Sequence, residues 1–420
     1  MRAVSVVAAV LLASVGGGVL AASKPAPKPA AKPAPAPVAP ARGPVAYWMG
    51  ASTTTGMGSM SGGRPNMAAM MSGGYNPNAV SHTLMLQLGS PRRPQGDPSA
   101  EHVPPRDLGA GPSLPLVTPV SRPVEQGPPQ PYQRPSGRML IFWGCGEHAA
   151  PGQPVVIDYA TLGQGGGGAK MASLMAAYGA LGGLPPSPGR FATYGEWPNE
   201  RGRTTVPGSG SLAGDHLVRG NYSPDINFSL TPAQDFLPPF QLTANASNPS
   251  GSTSLGWRRV DGAAAYFANL MGSGGDNTVV MWTSSQVQAS GFGMPEYLTT
   301  GDIDRLVASH VLMVPATLSC IIPQEATRAA SQGGMFNLIA YGDETNFVYP
   351  PKPADPKVAW SPQWTVKVRY RSATSGILGM SMADMGDGAQ DAGDDDENKP
   401  RQPEPKRRPH GLPGLGGILP

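Results

Sequence analysis

Leu255-Gly-Trp257-Arg-Arg-Val260-Asp-Gly262-Ala263-Ala-Ala-Tyr266 is the stretch that decides how this chain is read. A strand ending in Trp, a short turn of Asp, Gly and Ala, and a second strand opening on Tyr form one compact unit. The indole is large enough to fill the space between two packed sheets, and the small residues let the turn lie close. The same reading sets Tyr266 at the rim of the core with its hydroxyl toward solvent. Residues 278–284 (TVVMWTS) continue as the next strand, and 311–322, 335–341 and 363–371 read as later ones. The last alternates sharply, with Trp364, Val366, Val368 and Tyr370 on one face and Thr365, Lys367, Arg369 and Arg371 on the other. That is the pattern of a strand buried on one side only. Residues 302–309 read as a short helix between strands, with Thr299 and Thr300 as candidate N-caps.

On these residues, the segment from about 240 to 372 resembles a fibronectin type III-like (immunoglobulin-like) β-sandwich. The resemblance implies two packed sheets that bind through surfaces and loops. Working outward, the chain reads as mainly β, with two β-rich lobes. Residues 136–239 form the first lobe, with one helix, and 240–382 form the sandwich, with short helical insertions. In the first lobe, 139–143 (MLIFW) and 155–159 (VVIDY) are strands. Residues 169–181 are a helix with Met171, Leu174, Met175, Tyr178 and Leu181 on one face, and 216–221 and 225–230 are short strands. Residues 43–135 hold strands at 45–49 and 81–88 among Gly-, Met- and Pro-rich loops, with 90–135 expected as one long loop or extended arm.

The two ends differ from this centre. Arg2, an apolar run over 3–15, three glycines at 16–18 and Val19-Leu20-Ala21 fit a cleavable signal peptide over 1–21, cut after Ala21. The apolar run is too short for a membrane span, and the cut is not followed by the Cys a lipid anchor needs. Residues 22–42 are a Pro/Ala/Lys linker, a composition that favours an extended spacer. The tail over 383–420 is first acidic, then basic and Pro-rich, and its composition predicts disorder, as at the N-terminus. These features predict an exported protein, periplasmic or secreted, of a Gram-negative cell envelope, with no span after cleavage. Charged residues are 14% of the chain and the net charge is +3, which speaks against a broad basic nucleic-acid surface.

The chemistry-bearing residues are few. In an oxidising compartment Cys145 and Cys320 either pair across 175 residues or stay buried thiols. Residues 163–168 (GQGGGG) match a dinucleotide-loop pattern, but neither a second strand nor an acidic residue follows about 20 positions on, so no cofactor is expected. The six histidines form no close ligand pair. Met49, Met57, Met60, Met67, Met70, Met71 and Met85 accompany His82 in one Gly-rich stretch, and thioethers suit Cu(I). Of these, Met57, Met60, Met67, Met70, Met71 and His82 are the candidate metal ligands. No catalytic motif is complete. A hydrolytic alternative rests on Glu147, Glu196 and Glu200 near Trp143 and Trp197. The sequence therefore predicts a non-enzymatic structural, adhesive or binding role toward an envelope protein or a cell-wall glycan. Copper binding and hydrolysis in a cleft between the lobes are the alternatives.

Overall fold

The sharpest alternation in the sequence lies at the heart of the largest sheet. A computed structural model describes residues 43–58, 79–120, 136–164, 181, 183–200, 206–288 and 294–380, all within one compact unit over 39–420. The signal peptide, the linker, the tail, nearly all of the 169–181 helix, most of the glycine loop, and Met60, Met67, Met70 and Met71 lie outside the described residues.

The described residues are mainly β, in three sheets. Numbered in chain order, the nine-stranded sheet runs β6 (Val155–Asp158), β5 (Arg138–Trp143), β13 (Thr278–Thr283), β12 (Ala263–Gly274), β15 (Gly334–Tyr349), β16 (Trp364–Ile377), β1 (Val45–Gly56), β2 (Ser81–Ser90), β7 (Thr193–Trp197). A three-stranded sheet orders β10 (Leu242–Ser247), β11 (Thr253–Trp257) and β14 (Ser319–Ile322). A four-stranded sheet orders β4 (Leu114–Leu116), β3 (Ala100–Val103), β8 (Gly214–Gly220) and β9 (Ser223–Leu230).

Both small sheets share a continuous apolar core with one face of the large one. Tyr47 and Met49 of β1, Leu86 of β2, Val366 and Val368 of β16, and Tyr266 and Leu270 of β12 meet Leu255 and Trp257 of β11 and Val218 and Ile226 of the four-stranded sheet. Trp257 and Tyr266 lie in different sheets, with ring centroids 5.6 Å apart at 61°. The tyrosine hydroxyl does not reach solvent. Tyr266 is fully buried, and its hydroxyl accepts the Val260 N–H at 2.9 Å. The turn folds back over the ring, and a buried hydroxyl needs such a partner.

Strands from all three central segments enter the nine-stranded sheet, so position 239/240 does not separate one sheet from another. β5 pairs in parallel with β13, and β1 pairs in parallel with β16. Alone, the β13-β12-β15-β16 group would expose two unpaired edges; strands from the N-terminal half cover both. The 90–135 region is less irregular than its composition suggests. It contributes β3 and β4, whose alternate residues Ala100, His102, Leu114 and Leu116 are buried. In 311–322, only Ser319–Ile322 is a strand.

The other face of the large sheet is covered in part by helix α1 (Thr300–Ala308), N-capped by Thr299, whose hydroxyl accepts the Asp302 N–H. Ile303 and Leu306 of α1, with Leu298, Val311 and Leu312, pack on Phe267, Ile339, Tyr341 and Ala373. A shorter helix α2 (Gln324–Ala329) follows β14. Among the described residues no helix is long and apolar enough to cross a membrane.

Candidate functional site

The even-numbered residues at the start of β1 point away from the main core, and among the described residues the outer face around them stays partly open. Register places one row of side chains straight across five strands: Asn346, Lys367, Trp48, Gln87 and Glu196. At a strand spacing of about 4.8 Å the row is about 19 Å long. Two glycines shape its surroundings. A Cβ on Gly50 would lie 2.7 Å from the Tyr297 ring, and one on Gly89 would lie 2.6 Å from the Phe191 ring. Each aromatic ring can lie flat on the sheet only because the side chain beneath it is missing.

Beside Tyr297 is a pocket of about 270 Å³, lined on the sheet by Trp48, Met85, Gln87 and Arg369 and at its sides by Pro185 and Pro295–Tyr297. Whole small-molecule cavities run at about 300–1,000 Å³, so this pocket suits one unit of a longer ligand. Tyr341 donates to the Pro295 carbonyl at 3.0 Å, which ties the 295–297 wall to the sheet. Met85 is 38% exposed and Trp48 is half-buried.

The polar groups here are held firmly. Alternation predicts Arg369 at the surface, yet it is 5% exposed, because it lies beneath the wall and stacks on Trp48 at 4.1 Å from the ring centroid. Glu344 accepts from Arg369 Nε at 2.7 Å and from Lys367 Nζ at 2.6 Å. Burial opposes ionisation of Glu344, but hydrogen bonds from Lys367, Asn346 and Arg369 outweigh it and hold the carboxyl below its ordinary value. Arg371 reaches Glu296 at 2.8 Å and donates to the Ser52 hydroxyl at 2.9 Å. At the far end, Gln87 donates to the Tyr194 hydroxyl at 3.2 Å, which donates to Glu196 at 2.7 Å. Burial, first, and Glu196 push the Tyr194 phenol well up. The site thus offers an indole, amides and paired charges, with the Tyr194 hydroxyl held against Glu196.

Of the residues singled out by sequence, Glu196 stands in this row and Met85 lines its pocket, and most of the others lie elsewhere. Cys145 and Cys320 are joined, with an S–S distance of 2.09 Å and Cα atoms 5.2 Å apart, and they link the loop after β5 to β14. Met49 and Met57 are buried, the former within the core, and His82 is buried with its ring 3.9 Å from that of Phe236. Among the described residues, no three His, Cys, Asp or Glu side chains group to hold a metal ion. Glu147 follows β5 and Glu196 lies in β7, near opposite ends of the nine-stranded sheet. Seven strand spacings, about 34 Å, separate those strands, so the two carboxylates share no pocket. The row from Asn346 to Glu196 was not recognisable as a unit in the sequence. Its members span some 300 positions, and only strand alternation hinted that Trp48 and Gln87 share a face.

The fold and site define a mainly β protein with two layers and a partly open groove on its outer face. Comparison with protein families, curated proteins and solved structures finds no match to this chain.

Proposed function

We propose that this protein is an exported cell-envelope binding protein and that the outer-face groove takes a segment of cell-wall glycan. The observation that carries the reading is the row Asn346–Lys367–Trp48–Gln87–Glu196, about 19 Å with polar side chains on either side of an indole. A linear ligand with many hydroxyls and apolar ring faces matches a row that is polar at both ends and aromatic in the middle. The row is preorganised: Lys367 is already paired with Glu344, and Glu196 already accepts from the Tyr194 hydroxyl, so both need little reordering on binding.

Support for the fibronectin type III-like assignment of about 240–372 comes from strand order. Seven consecutive strands divide into the first, second and fifth (β10, β11, β14) and the third, fourth, sixth and seventh (β12, β13, β15, β16). Two such sheets around a Trp–Tyr contact make a sandwich of the immunoglobulin-like kind. Support for export comes from the N-terminal pattern and from a cysteine pair suited to an oxidising compartment.

Titrating the purified mature protein with cell-wall oligosaccharides, read by calorimetry and tryptophan fluorescence, tests the reading. Saturable binding that falls about tenfold or more in Trp48→Ala, a loss of about 1.4 kcal/mol, is expected. Absence of glycan binding, or equal binding by Trp48→Ala, refutes it. Cell fractionation with N-terminal sequencing checks export; the expected mature chain starts at Ala22.

A further inference from the structure

Three of the five described histidines, His82, His102 and His216, are buried, and all three lie where the four-stranded sheet and its neighbouring loops meet the nine-stranded one. Two of them form a chain whose protons are ordered by its end. His216 Nε2 lies 2.8 Å from the Leu212 carbonyl, which can only accept, so Nε2 carries the proton. In neutral His216, Nδ1 is then an acceptor, and His102 Nε2 donates to it at 3.0 Å. His102 Nδ1 is left to accept from the Tyr47 hydroxyl at 2.5 Å. Tyr47, His102 and His216 thus run from β1 of the large sheet into β3 and β8 of the small one. Phe228 stacks on His216 at 4.8 Å, and among the described residues no charged side chain bonds to either imidazole.

An additional proton on this chain displaces the last hydrogen bond in it. Protonated His216 donates from Nδ1 to His102 Nε2 only if His102 carries its own proton on Nδ1, and protonated His102 carries that Nδ1 proton directly. In both cases a donor faces the Tyr47 hydroxyl, whose own proton loses its acceptor and must turn away inside the core. We infer that the four-stranded sheet is an acid-releasable latch, seated on the nine-stranded sheet at neutral pH and loosened when the Tyr47–His102–His216 chain takes up a proton.

The surrounding charges do not remove the conflict. Asp215 adjoins His216 and favours its charged form, but burial, the larger effect, holds His216 below its ordinary value. Burial, and then the neighbouring His216, hold His102 well below it. Burial raises the Tyr47 phenol. Asp235 fixes the loop that caps the chain by accepting from Leu212 N–H at 2.7 Å and from the Ser211 hydroxyl at 2.5 Å. Asp235 also favours protonated His82 and raises Tyr370, but burial again dominates at His82 and lowers it. Glu101 and Arg219, on strands of the small sheet, pair with each other. Each lowered histidine binds its proton more readily once the sheet opens. The latch is therefore fully seated above about pH 6.5 and weakens as pH falls from there toward the seated values.

Hydrogen exchange of the intact oxidised protein from pH 7.5 to 4.5, corrected for intrinsic rates, tests this. Residues 99–103 and 214–230 are expected to lose protection below about pH 6, by about 100-fold per pH unit where two protons are coupled, while 264–272 and 335–341 stay protected. Loss of all four regions at one pH, or no selective loss down to pH 4.5, overturns the inference. In His102→Gln/His216→Gln the selective loss is expected to flatten. Should that variant not fold, imidazole NMR of the unaltered protein decides: His102 and His216 still neutral at pH 6 agree with the latch, and ordinary titration near 6.5 overturns it.

Discussion

Reduction of the Cys145–Cys320 bond tests how the layers are held together. The bond spans 175 residues and crosses from the loop after β5, next to the edge strand of the nine-stranded sheet, to the three-stranded one. Opening a loop of that length returns about 17.5 cal/mol/K of entropy to the unfolded chain, or about 5 kcal/mol at 25 °C. In the folded state little should change, because the corner has other ties. Gly146 N–H donates to the Ile321 carbonyl at 2.9 Å and Gln324 N–H to the Glu147 carbonyl at 3.0 Å. Trp282 Nε1 donates to the Gly144 carbonyl at 2.8 Å, and Glu325 accepts from Ala149 N–H at 2.8 Å. The expected result is a large fall in stability with native-like protection of 138–143. Urea unfolding of oxidised and reduced protein, with Cys145→Ser/Cys320→Ala as a reagent-free control, measures the first. Hydrogen exchange measures the second. A loss below about 1 kcal/mol would refute the chain-entropy reasoning; early exposure of 138–143 would show that the bond acts on the folded state instead.

Two further substitutions probe the sandwich and the groove. Tyr266→Phe strips the acceptor from the buried Val260 N–H and should cost about 1–3 kcal/mol, read as a lower urea midpoint with unchanged slope. Glu344→Gln removes the carboxylate between Lys367 and Arg369 and should cost about 3–5 kcal/mol if the site behaves as a buried pair. Because the Glu344 carboxyl is held low in the fold, its contribution is complete above about pH 4.5 and is lost as pH falls below that. The variant's stability should therefore converge on that of the unaltered protein in acid, which urea midpoints at pH 3 and pH 7 would check.

Much of the fold could be read locally. The Trp257-to-Tyr266 turn and the Trp364-to-Tyr370 alternation each mark strands by features within a dozen residues, and these strands form where expected. The Thr299 cap was legible for the same reason. The short strands β3 and β4 were harder to see, because three or four alternating residues among prolines carry too little periodicity. The burial of Arg369 was not legible at all: alternation says which face a residue takes, and not whether something else covers that face.

The mainly β character, the strand faces, the inter-sheet placing of Trp257 and the N-terminal pattern that points to export were all legible in the sequence. Only the tertiary structure decided that strands from three segments share one sheet, that Cys145 and Cys320 meet, and that Trp48, Gln87 and Glu196 stand in one row. The physical reason is range. Period, cap and turn chemistry act over a few residues, whereas strand pairing is settled by which apolar faces and open edges find each other across the whole chain.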